Sequence, residues 1–505
     1  MNSKFKGIII CAVVAVCLGV MLLVLNLLPQ VDDDSSSEES STVETDDDTG
    51  SISLTSDVAD ELDSTNVAKI GFHNSFQEFE IVQTTDGEDE WEIEELDGIN
   101  QNQTLYSSVA TTLCSLAAKE VVEEDTDDLE KYGLDEVSCY FDVTFDCDGE
   151  ETEKSFLVGD ESPESGYYYV CEAGSTKVYT VYSSKLSYFF YTKEEFISLS
   201  MLSSLPSDAD DDYFTTLTVK QKDRDYDIVF ENADDSTSMV SAQVMTSPIF
   251  SYLDVSNSST VTHGMWGLAA EYAIVAKPDD DDFATYGLDD PTAVADLVCD
   301  DGEYILTIGN CEYATDSEGN STETIDGYYV YLEGVEGIDV IFYCAADDLP
   351  WADFDPSDII SGLMTTNNVV TLKDIKVTTA DEEVVYDLTI TEDDDGDEEV
   401  ESVVENEETQ LDAEVWKGWY QLLIQCPTSE IYFTDPESDT ADLTIEIDLI
   451  DGGGDVMELY KETDRRYIVK LNGKTSFRIE SAWVDAILDG MEKVRNGEEV
   501  NADTY

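Results

Sequence analysis

The sequence predicts an α+β protein in which an N-terminal transmembrane helix precedes three tandem repeats, each a small antiparallel sheet with a covering helix. Two observations lead to this fold class. An uncharged, apolar run extends over residues 7–28. The tetrapeptide Tyr-Gly-Leu-Asp occurs at 132–135 and again at 286–289, and an alternating run, a glycine and a Tyr-Tyr-Val strand follow each copy. Matched features in the same order indicate a duplication, with a more divergent third copy behind it.

The apolar run predicts a membrane-spanning helix, because about 20 apolar residues cross the hydrocarbon of a bilayer. Lys4 and Lys6 precede the run, and three aspartates follow it from Asp32. This order of charges predicts a cytoplasmic N-terminus, a single pass through the cell membrane and an extracytoplasmic remainder. A cleaved signal peptide is the alternative, although no small-residue cleavage site ends the run. We therefore expect a cytoplasmic tip and anchor at 1–30, with the bilayer around 7–28, and an acidic, disordered stalk at 31–56.

The first predicted repeat covers residues 57–205. Leu105, Val109, Leu113 and Leu116 recur at helical spacing and predict a covering helix over 103–118. Alternating runs predict the strands, and Asp148-Gly149 predicts a hairpin turn. The predicted strands are 67–71, 78–84, 91–93, 139–145 and 154–158.

The second predicted repeat covers 206–362, with strands at 213–220 and 226–231 and a covering helix at 264–275. The third covers 363–505, with a helix at 411–424. A closing helix carries an apolar stripe from Trp483 to Val494 and ends at Asn496-Gly497. The strands predicted for the third repeat are 369–378, 384–391, 443–449, 466–471 and 476–479.

The Tyr-Gly-Leu-Asp sequences predict structural turns. Glycine adopts a positive φ without strain, aspartate bonds neighbouring backbone amides, and tyrosine and leucine close the edge of the core beneath. A proline two residues after the second copy favours entry into an extended strand. The residues assigned to this motif are Tyr132, Gly133, Leu134, Asp135, Tyr286, Gly287, Leu288, Asp289 and Pro291.

Two tyrosine pairs are the candidate partner surface. Tyr168 and Tyr169 stand in one Tyr-Tyr-Val strand, and Tyr328 and Tyr329 in the other. Because side chains alternate along a strand, one tyrosine of each pair should face the core and the other should face outward. Aromatic residues are favoured in strands for packing alone, so an exposed row that contacts a partner chain or a sugar is the sharper of two interpretations.

The charge excludes nucleic acid as a partner. The chain carries 24 lysines and arginines against 116 aspartates and glutamates, a formal net charge of -92. Binding to nucleic acid phosphates needs clustered basic residues. The excess of carboxylates predicts a solvated surface, with a divalent-cation or cationic-partner surface as the alternative.

Catalytic and metal-binding motifs are missing from the sequence. It contains no Gly-x-Ser-x-Gly elbow, no His-Glu-x-x-His pair and no phosphate-binding glycine loop. The cysteines form no Cys-x-x-Cys pair, and neither His73 nor His263 has a neighbouring metal ligand. We therefore expect mostly buried thiols, with one or two bridges left open, no cofactor and no enzymatic activity.

At these positions the chain resembles the bacterial domain-of-unknown-function 4340 family, whose members share a Tyr-Gly-Leu-Asp-x-Pro turn, a glycine-ended strand and a Tyr-Tyr-Val strand. The second copy, with Pro291 and Gly309, fits closely, whereas the first has Val137 in place of proline. The third keeps only a few positions, among them Tyr432 and Asp435. The resemblance implies a membrane anchor, an extracytoplasmic remainder and a place beside the permease and auxiliary components of gliding-motility-type ABC transporters. It implies no catalytic residues.

The functional expectation is a membrane-anchored extracytoplasmic binding or scaffold protein, accessory to an ABC transport system. Its partner would be a membrane protein such as the permease, or an envelope polymer. A cell-envelope glycan hydrolase with an unidentified carboxylate pair is one alternative. A calcium-dependent adhesion module is the other.

Overall fold

The computed structural model describes residues 51–59, 61–84, 90–205, 214–233, 241–299, 302–316, 320–392, 398–428 and 430–501. The predicted anchor at 7–28 and most of the predicted stalk lie outside these residues. Within them, no helix has both the length and the apolar character needed to cross a bilayer. Ile52–Tyr505 forms one compact unit.

The described residues fold into three large antiparallel sheets of 8, 9 and 8 strands, together with one two-stranded sheet. The α+β class and the antiparallel pairing are confirmed. The sheets are larger than the small ones that were predicted. The additional strands were missed because several of them are too short or too polar to show an alternating pattern.

The first sheet has the strand order β4-β3-β2-β7-β8-β9-β10-β6. A separate pair joins β1 (Ile52–Ser53) to β5 (Ala117–Ala118), so the end of the predicted stalk is folded. The covering helix α1 (Gln103–Cys114) ends before β5, earlier than predicted. The strands are β2 (Val67–His73), β3 (Glu78–Gln83), β4 (Trp91–Glu92), β6 (Glu120–Glu123), β7 (Cys139–Cys147), β8 (Glu150–Glu161), β9 (Tyr167–Glu172) and β10 (Val178–Tyr182), followed by the short helix α2 (Ser183–Leu186).

The second sheet has the order β14-β13-β12-β11-β16-β17-β18-β19-β15. Its helices are α3 (Val255–His263), α4 (Asp280–Thr285) and α5 (Pro356–Ile359). The strands are β11 (Phe214–Gln221), β12 (Ile228–Asn232), β13 (Gln243–Ser247), β14 (Ser251–Tyr252), β15 (Tyr272–Ala276), β16 (Ala293–Cys299), β17 (Gly302–Thr315), β18 (Ser321–Glu333) and β19 (Val340–Ala345).

The third sheet has the order β23-β22-β21-β20-β24-β25-β26-β27. Its helices are α6 (Ala413–Ile424) and the closing helix α7 (Ser481–Asn496). The strands are β20 (Leu372–Thr379), β21 (Glu383–Glu392), β22 (Glu398–Glu405), β23 (Thr409–Leu411), β24 (Leu443–Leu449), β25 (Gly454–Thr463), β26 (Arg466–Leu471) and β27 (Lys474–Glu480).

The helix predicted at 264–275 is wrong. The structure has α3 before this segment and the edge strand β15 at its end, paired with β19. Asp254 caps α3 by accepting hydrogen bonds from the backbone N–H groups of Ser256 and Asn257. Helix α3 buries only Ser258, Val261 and Thr262, so its sequence lacks the apolar periodicity that would predict a helix.

One contiguous apolar core runs through all three sheets, from Leu54 to Val494. Helix α1 contributes Val109 and Leu113 to it, and α6 contributes Trp416 and Trp419. All eight cysteines of the described residues are free thiols. The compact unit therefore depends on apolar packing and not on cross-links.

Candidate binding site

A cleft of about 950 Å³ opens where the first sheet meets the second. Three separate parts of the chain form it: the segment around β4 and the start of α1, the connection at 198–204, and second-sheet residues near Trp266 and Tyr304. It is lined by Thr84, Glu90, Trp91, Glu92, Asp97, Gly98, Ile99, Asn100, Gln101, Gln103, Ser198, Ser200, Met201, Leu202, Ser203, Ser204, Trp266, Tyr304, Gly334, Val335 and Glu336.

Hydrogen bonds join the two walls of the cleft directly. The backbone N–H of Asn100 donates to the carbonyl of Gly337 at 2.7 Å, and its side-chain amide donates to the carbonyl of Glu336 at 3.2 Å. Gly337 has a φ of 81°, which favours glycine, and a Cβ there would lie 2.3 Å from Oδ1 of Asn100. The cleft is therefore held together without a ligand.

The connecting segment binds both sides of the cleft. Ser198 donates its backbone N–H to the carbonyl of Asn100 at 2.8 Å, and Met201 donates to the carbonyl of Leu268 at 2.9 Å. Ala270 in turn donates to Leu199 at 2.8 Å. The segment thus fastens the first sheet's region to the second sheet's region.

Two glutamine side chains hold the first wall in place. Oε1 of Gln103 accepts from the backbone N–H of Trp91 and Nε2 donates to its carbonyl, both at 2.9 Å. Oε1 of Gln101 accepts from the N–H of Ile93 at 2.9 Å and from the hydroxyl of Tyr106 at 2.5 Å. Burial of Tyr106 raises the pKa of its hydroxyl far above the ordinary value, so the phenol stays a donor to Gln101.

The groups that face the cleft are aromatic and acidic. Trp266 and Tyr304 are half-buried and meet edge to face, with centroids 5.6 Å apart and an interplanar angle of 78°. Among the described residues, four exposed carboxylates line the cleft and no lining residue is lysine, arginine or histidine. The exposed acids are Glu90, Glu92, Asp97 and Glu336.

A second, smaller cavity of about 560 Å³ continues from the cleft and shares Glu92 with it. Its lining adds four further glutamates and one histidine, namely Glu78, Glu80, Glu94, Glu95 and His73. Nε2 of His73 lies 3.1 Å from Oδ2 of Asp142, and the imidazole stacks on Tyr140 at 4.1 Å. The acidic character of the cleft therefore extends along the edge of the first sheet.

The two Tyr-Gly-Leu-Asp turns pack in the same way against their sheets. Gly133 and Gly287 have φ of 67° and 72°, which favours glycine. A Cβ on Gly159 would lie 2.2 Å from the carbonyl oxygen of Tyr132, and one on Gly309 would lie 2.3 Å from that of Tyr286. Each strand glycine thus leaves room for the backbone of its turn. Leu134 and Leu288 are buried beside these glycines.

The aspartates of the two turns do not make the predicted hydrogen bonds to neighbouring backbone amides. Asp135 and Asp289 are exposed, and within the described residues their carboxylates accept no hydrogen bond from a neighbouring amide. The turns are instead closed by backbone bonds, such as Leu288 to Phe283 at 2.8 Å. Pro291 is half-buried just before β16.

The predicted tyrosine surface is divided between two faces. Tyr328 is buried in the core, and Tyr168 packs on the core beside Phe190, with ring centroids 5.5 Å apart. Tyr328 is therefore not available to a partner, whereas Tyr168 is only half-buried. The other tyrosine of each pair lies against the tyrosine of its turn, Tyr169 on Tyr132 at 4.9 Å and Tyr329 on Tyr286 at 4.6 Å.

Tyr329 belongs to a row of four tyrosines on one face of the second sheet. The other three are Tyr286, Tyr343 and Tyr272. The ring centroid of Tyr343 lies 5.5 Å from that of Tyr329 and 6.1 Å from that of Tyr272 at the sheet edge. The Tyr329 hydroxyl donates to Glu312 at 3.0 Å. Burial, and then this bond, raise the pKa of Tyr329 to about 12. Only Tyr272 is largely exposed, so the row is a packed face more than an open surface.

A further cavity of about 810 Å³ lies between the second and third sheets. Beside it, the fully buried carboxylate of Asp455 accepts hydrogen bonds from four neutral donors. These are the hydroxyls of Tyr252 at 2.7 Å and Thr365 at 2.6 Å, and the amides of Asn367 at 2.8 Å and Asn472 at 2.9 Å. Tyr252 belongs to the second sheet, so this network ties the two sheets together.

The sequence did not point to the cleft. Its lining comes from stretches separated by up to about 250 residues, and its glutamates resemble any other in so acidic a chain. The one local signal was the strand predicted at 91–93, next to a helix start. Among the described residues, no group of three or more His, Cys, Asp and Glu is arranged to hold a metal ion.

Residues 91–264 match the model of the family described as Domain of unknown function (DUF4340). The matched region contains the first Tyr-Gly-Leu-Asp turn, most of the first sheet and the cleft residues from Trp91 to Ser204. It ends before Tyr286, so the second turn lies outside it. No curated protein and no solved structure matches the chain.

Proposed function

We propose that this protein is a membrane-anchored extracytoplasmic binding or scaffold protein that holds a partner in the cleft between its first two sheets. In this proposal residues 7–28 cross the cell membrane once, with the N-terminus in the cytoplasm. The partner is a component of an ABC transport system, such as its permease, or an envelope polymer. The matched family, described only as a domain of unknown function, is compatible with this role.

The cleft is the observation that carries the proposal. Ligand sites are concave, mostly preformed, and combine aromatic surface with a few polar groups. The cleft has these properties, because Asn100, Gln101 and Gln103 fix its walls while Trp266 and Tyr304 remain partly open. A preformed site loses less conformational entropy on binding than one that must assemble around its ligand.

The proposal includes an origin by triplication. At one side of each sheet, neighbouring strands follow one another in reverse chain order and end at β2, β11 or β20. These runs are β4-β3-β2, β14-β13-β12-β11 and β23-β22-β21-β20. The last strand of each run then pairs with a four-strand meander, β7-β8-β9-β10, β16-β17-β18-β19 or β24-β25-β26-β27. Three similar paths, with a first run of three strands in the first sheet and of four in the other two, support three tandem repeats at about 57–205, 206–362 and 363–505.

Binding is favoured over glycan hydrolysis by the exposure of the acids. The general acid of a glycosidase is a carboxyl group whose pKa is raised by an apolar pocket. Glu92, Asp97 and Glu336 are all exposed. No contact of the described residues favours the calcium-dependent adhesion alternative over binding in the cleft.

Site-specific cross-linking in the native membrane tests the proposal. Full-length protein with photoreactive benzoylphenylalanine at Ser203, inside the cleft, should cross-link one defined partner that mass spectrometry then identifies. The matched control carries the same residue at Ser438, an exposed position of the third-sheet region. Recovery of a permease or another transporter component from Ser203 alone supports the accessory role. Equal cross-linking from both positions, or none from Ser203, would rule out the cleft as the binding site.

A further inference from the structure

We infer that the cleft binds a positively charged polypeptide segment that carries lysine or arginine side chains. The inference rests on the proposed function, because it names the ligand chemistry of the same cleft. Charge, aromatic surface and the state of the polar side chains each support it.

The charge of the cleft has one sign. Glu90, Glu92, Asp97 and Glu336 line it, and the described part of its lining contains no lysine, arginine or histidine. The adjoining cavity continues the acidic surface with Glu94 and other glutamates. Carboxylates that converge on one cleft focus a negative potential there and attract a cationic ligand. An anionic polymer would be repelled by the same groups.

The aromatic rings suit the same kind of ligand. Trp266 and Tyr304 form an edge-to-face pair beside the carboxylates. Ammonium and guanidinium groups are attracted to the faces of such rings, and guanidinium also stacks on them. A carboxylate beside an aromatic face therefore favours a lysine or arginine side chain over a neutral group.

The amides of the cleft are already engaged within the protein. Both polar atoms of Gln103 bond the backbone of Trp91, Gln101 bonds Ile93 and Leu96, and the Asn100 amide bonds the carbonyl of Glu336. Neutral glycans are recognised mainly through hydrogen bonds from such side chains to sugar hydroxyls. With these amides engaged, the carboxylates are the charged groups of the cleft that can select a ligand.

The backbone of the cleft favours a basic polypeptide over a cationic ligand that has no peptide backbone. Gly98 and Gly334 stand exposed on opposite walls and have no side chain to keep a ligand's main chain away. A peptide can therefore approach backbone N–H and C=O groups there while its basic side chains reach the acids.

Fluorescence anisotropy with full-length protein in detergent tests the inference. The probe is a labelled hexapeptide of alternating lysine and arginine, and a glutamine hexapeptide is the neutral comparison. The cleft variant combines Glu92→Gln, Asp97→Asn and Glu336→Gln. The control variant combines Glu399→Gln, Glu401→Gln and Glu408→Gln, which are exposed acids of the third-sheet region. Both variants lose three charges, so the overall attraction of the protein for cations changes equally.

We expect the cleft variant to weaken binding of the basic peptide by about tenfold or more and the control variant to change it less than twofold. Trp266→Ala should also weaken binding. Equal losses in both triple variants would overturn the inference, because the peptide would then respond only to net charge. Binding of a glucosamine oligomer without binding of the peptide would overturn the polypeptide assignment.

Failure of the proposed function can be distinguished from failure of the inference about the ligand's chemistry. If Ser203 cross-links a partner but neither salt nor the cleft variant weakens its capture, the cleft is a binding site for a ligand of other chemistry. If Ser203 cross-links nothing, the proposed function itself fails.

Discussion

At the scale of single residues, the strand glycines beneath the two turns are the clearest constraint. Gly309 lies so close to the backbone of Tyr286 that a Cβ would meet its carbonyl oxygen at 2.3 Å. Gly309→Ala should therefore lower the free energy of unfolding by about 1–3 kcal/mol, measured by urea denaturation. Gly362→Ala is the control, because no atom lies within 4 Å of its Cβ position. Equal stability of the two variants would contradict the packing described here.

Two half-buried phenols of the second sheet predict a loss of stability at alkaline pH. Burial, together with hydrogen bonds to Glu312 and Asp339, raises the pKa of Tyr329 and of Tyr331 to about 12. An unfolded tyrosine ionises near pH 10, so between about pH 10 and 12 the folded state holds protons that the unfolded state has lost. The free energy of unfolding should be unaffected below this window and should fall within it.

Tyr329→Phe tests this pH dependence. The variant should show a shallower fall in stability between about pH 10 and 12 than the parent protein, because one shifted group is gone. Tyr272→Phe removes a hydroxyl from an exposed ring of the same face and serves as the comparison. A fall just as steep in Tyr329→Phe would show that other groups control the alkaline transition.

At the scale of elements, Gln103 supports strand β4 with both ends of its amide. Gln103→Ala removes two hydrogen bonds to Trp91 and should cost about 1–2 kcal/mol, although alanine suits the first turn of α1. Chemical denaturation measures the loss. Gln103→Glu keeps an acceptor for the N–H of Trp91 but gives up the donor, so we expect an intermediate loss. The exposed Gln410 provides the control, and an equal effect of Gln410→Ala would contradict the proposed support.

The sequence predicted strands better than it predicted the second covering helix. The strand predicted at 139–145 lies within β7, because its alternation matches one buried and one outward face. The helix predicted at 264–275 failed because pairing with β19 makes the end of this segment a strand. The true helix α3 is polar, and its best signal was the cap at Asp254. Tertiary pairing outweighed local propensity here.

The cleft could not be predicted for a related reason. Its walls meet through backbone bonds such as Asn100 to Gly337, which no side-chain pattern encodes. Trp266 and Tyr304 are far from Trp91 in sequence and come together only through the junction of the two sheets. The turns were easier, since each is one continuous motif whose glycine needs a positive φ.

At the scale of the whole molecule, Asp455 fastens the third sheet to the second. Asp455→Ala would remove the carboxylate that four donors share and should lower the free energy of unfolding by about 3 kcal/mol or more. Calorimetry should also show the third-sheet region melting separately from the rest. Asp451→Ala removes an exposed carboxylate just before the same strand and should change little. An unaltered transition in Asp455→Ala would mean that apolar packing alone joins the sheets.

The free thiols have a consequence for how this molecule can be made. None of the eight cysteines in the described part is oxidised, and five of them are buried. The arrangement of the described part therefore depends on no disulfide oxidase or disulfide isomerase. We expect a reductant in the buffer to leave the fold of this part intact.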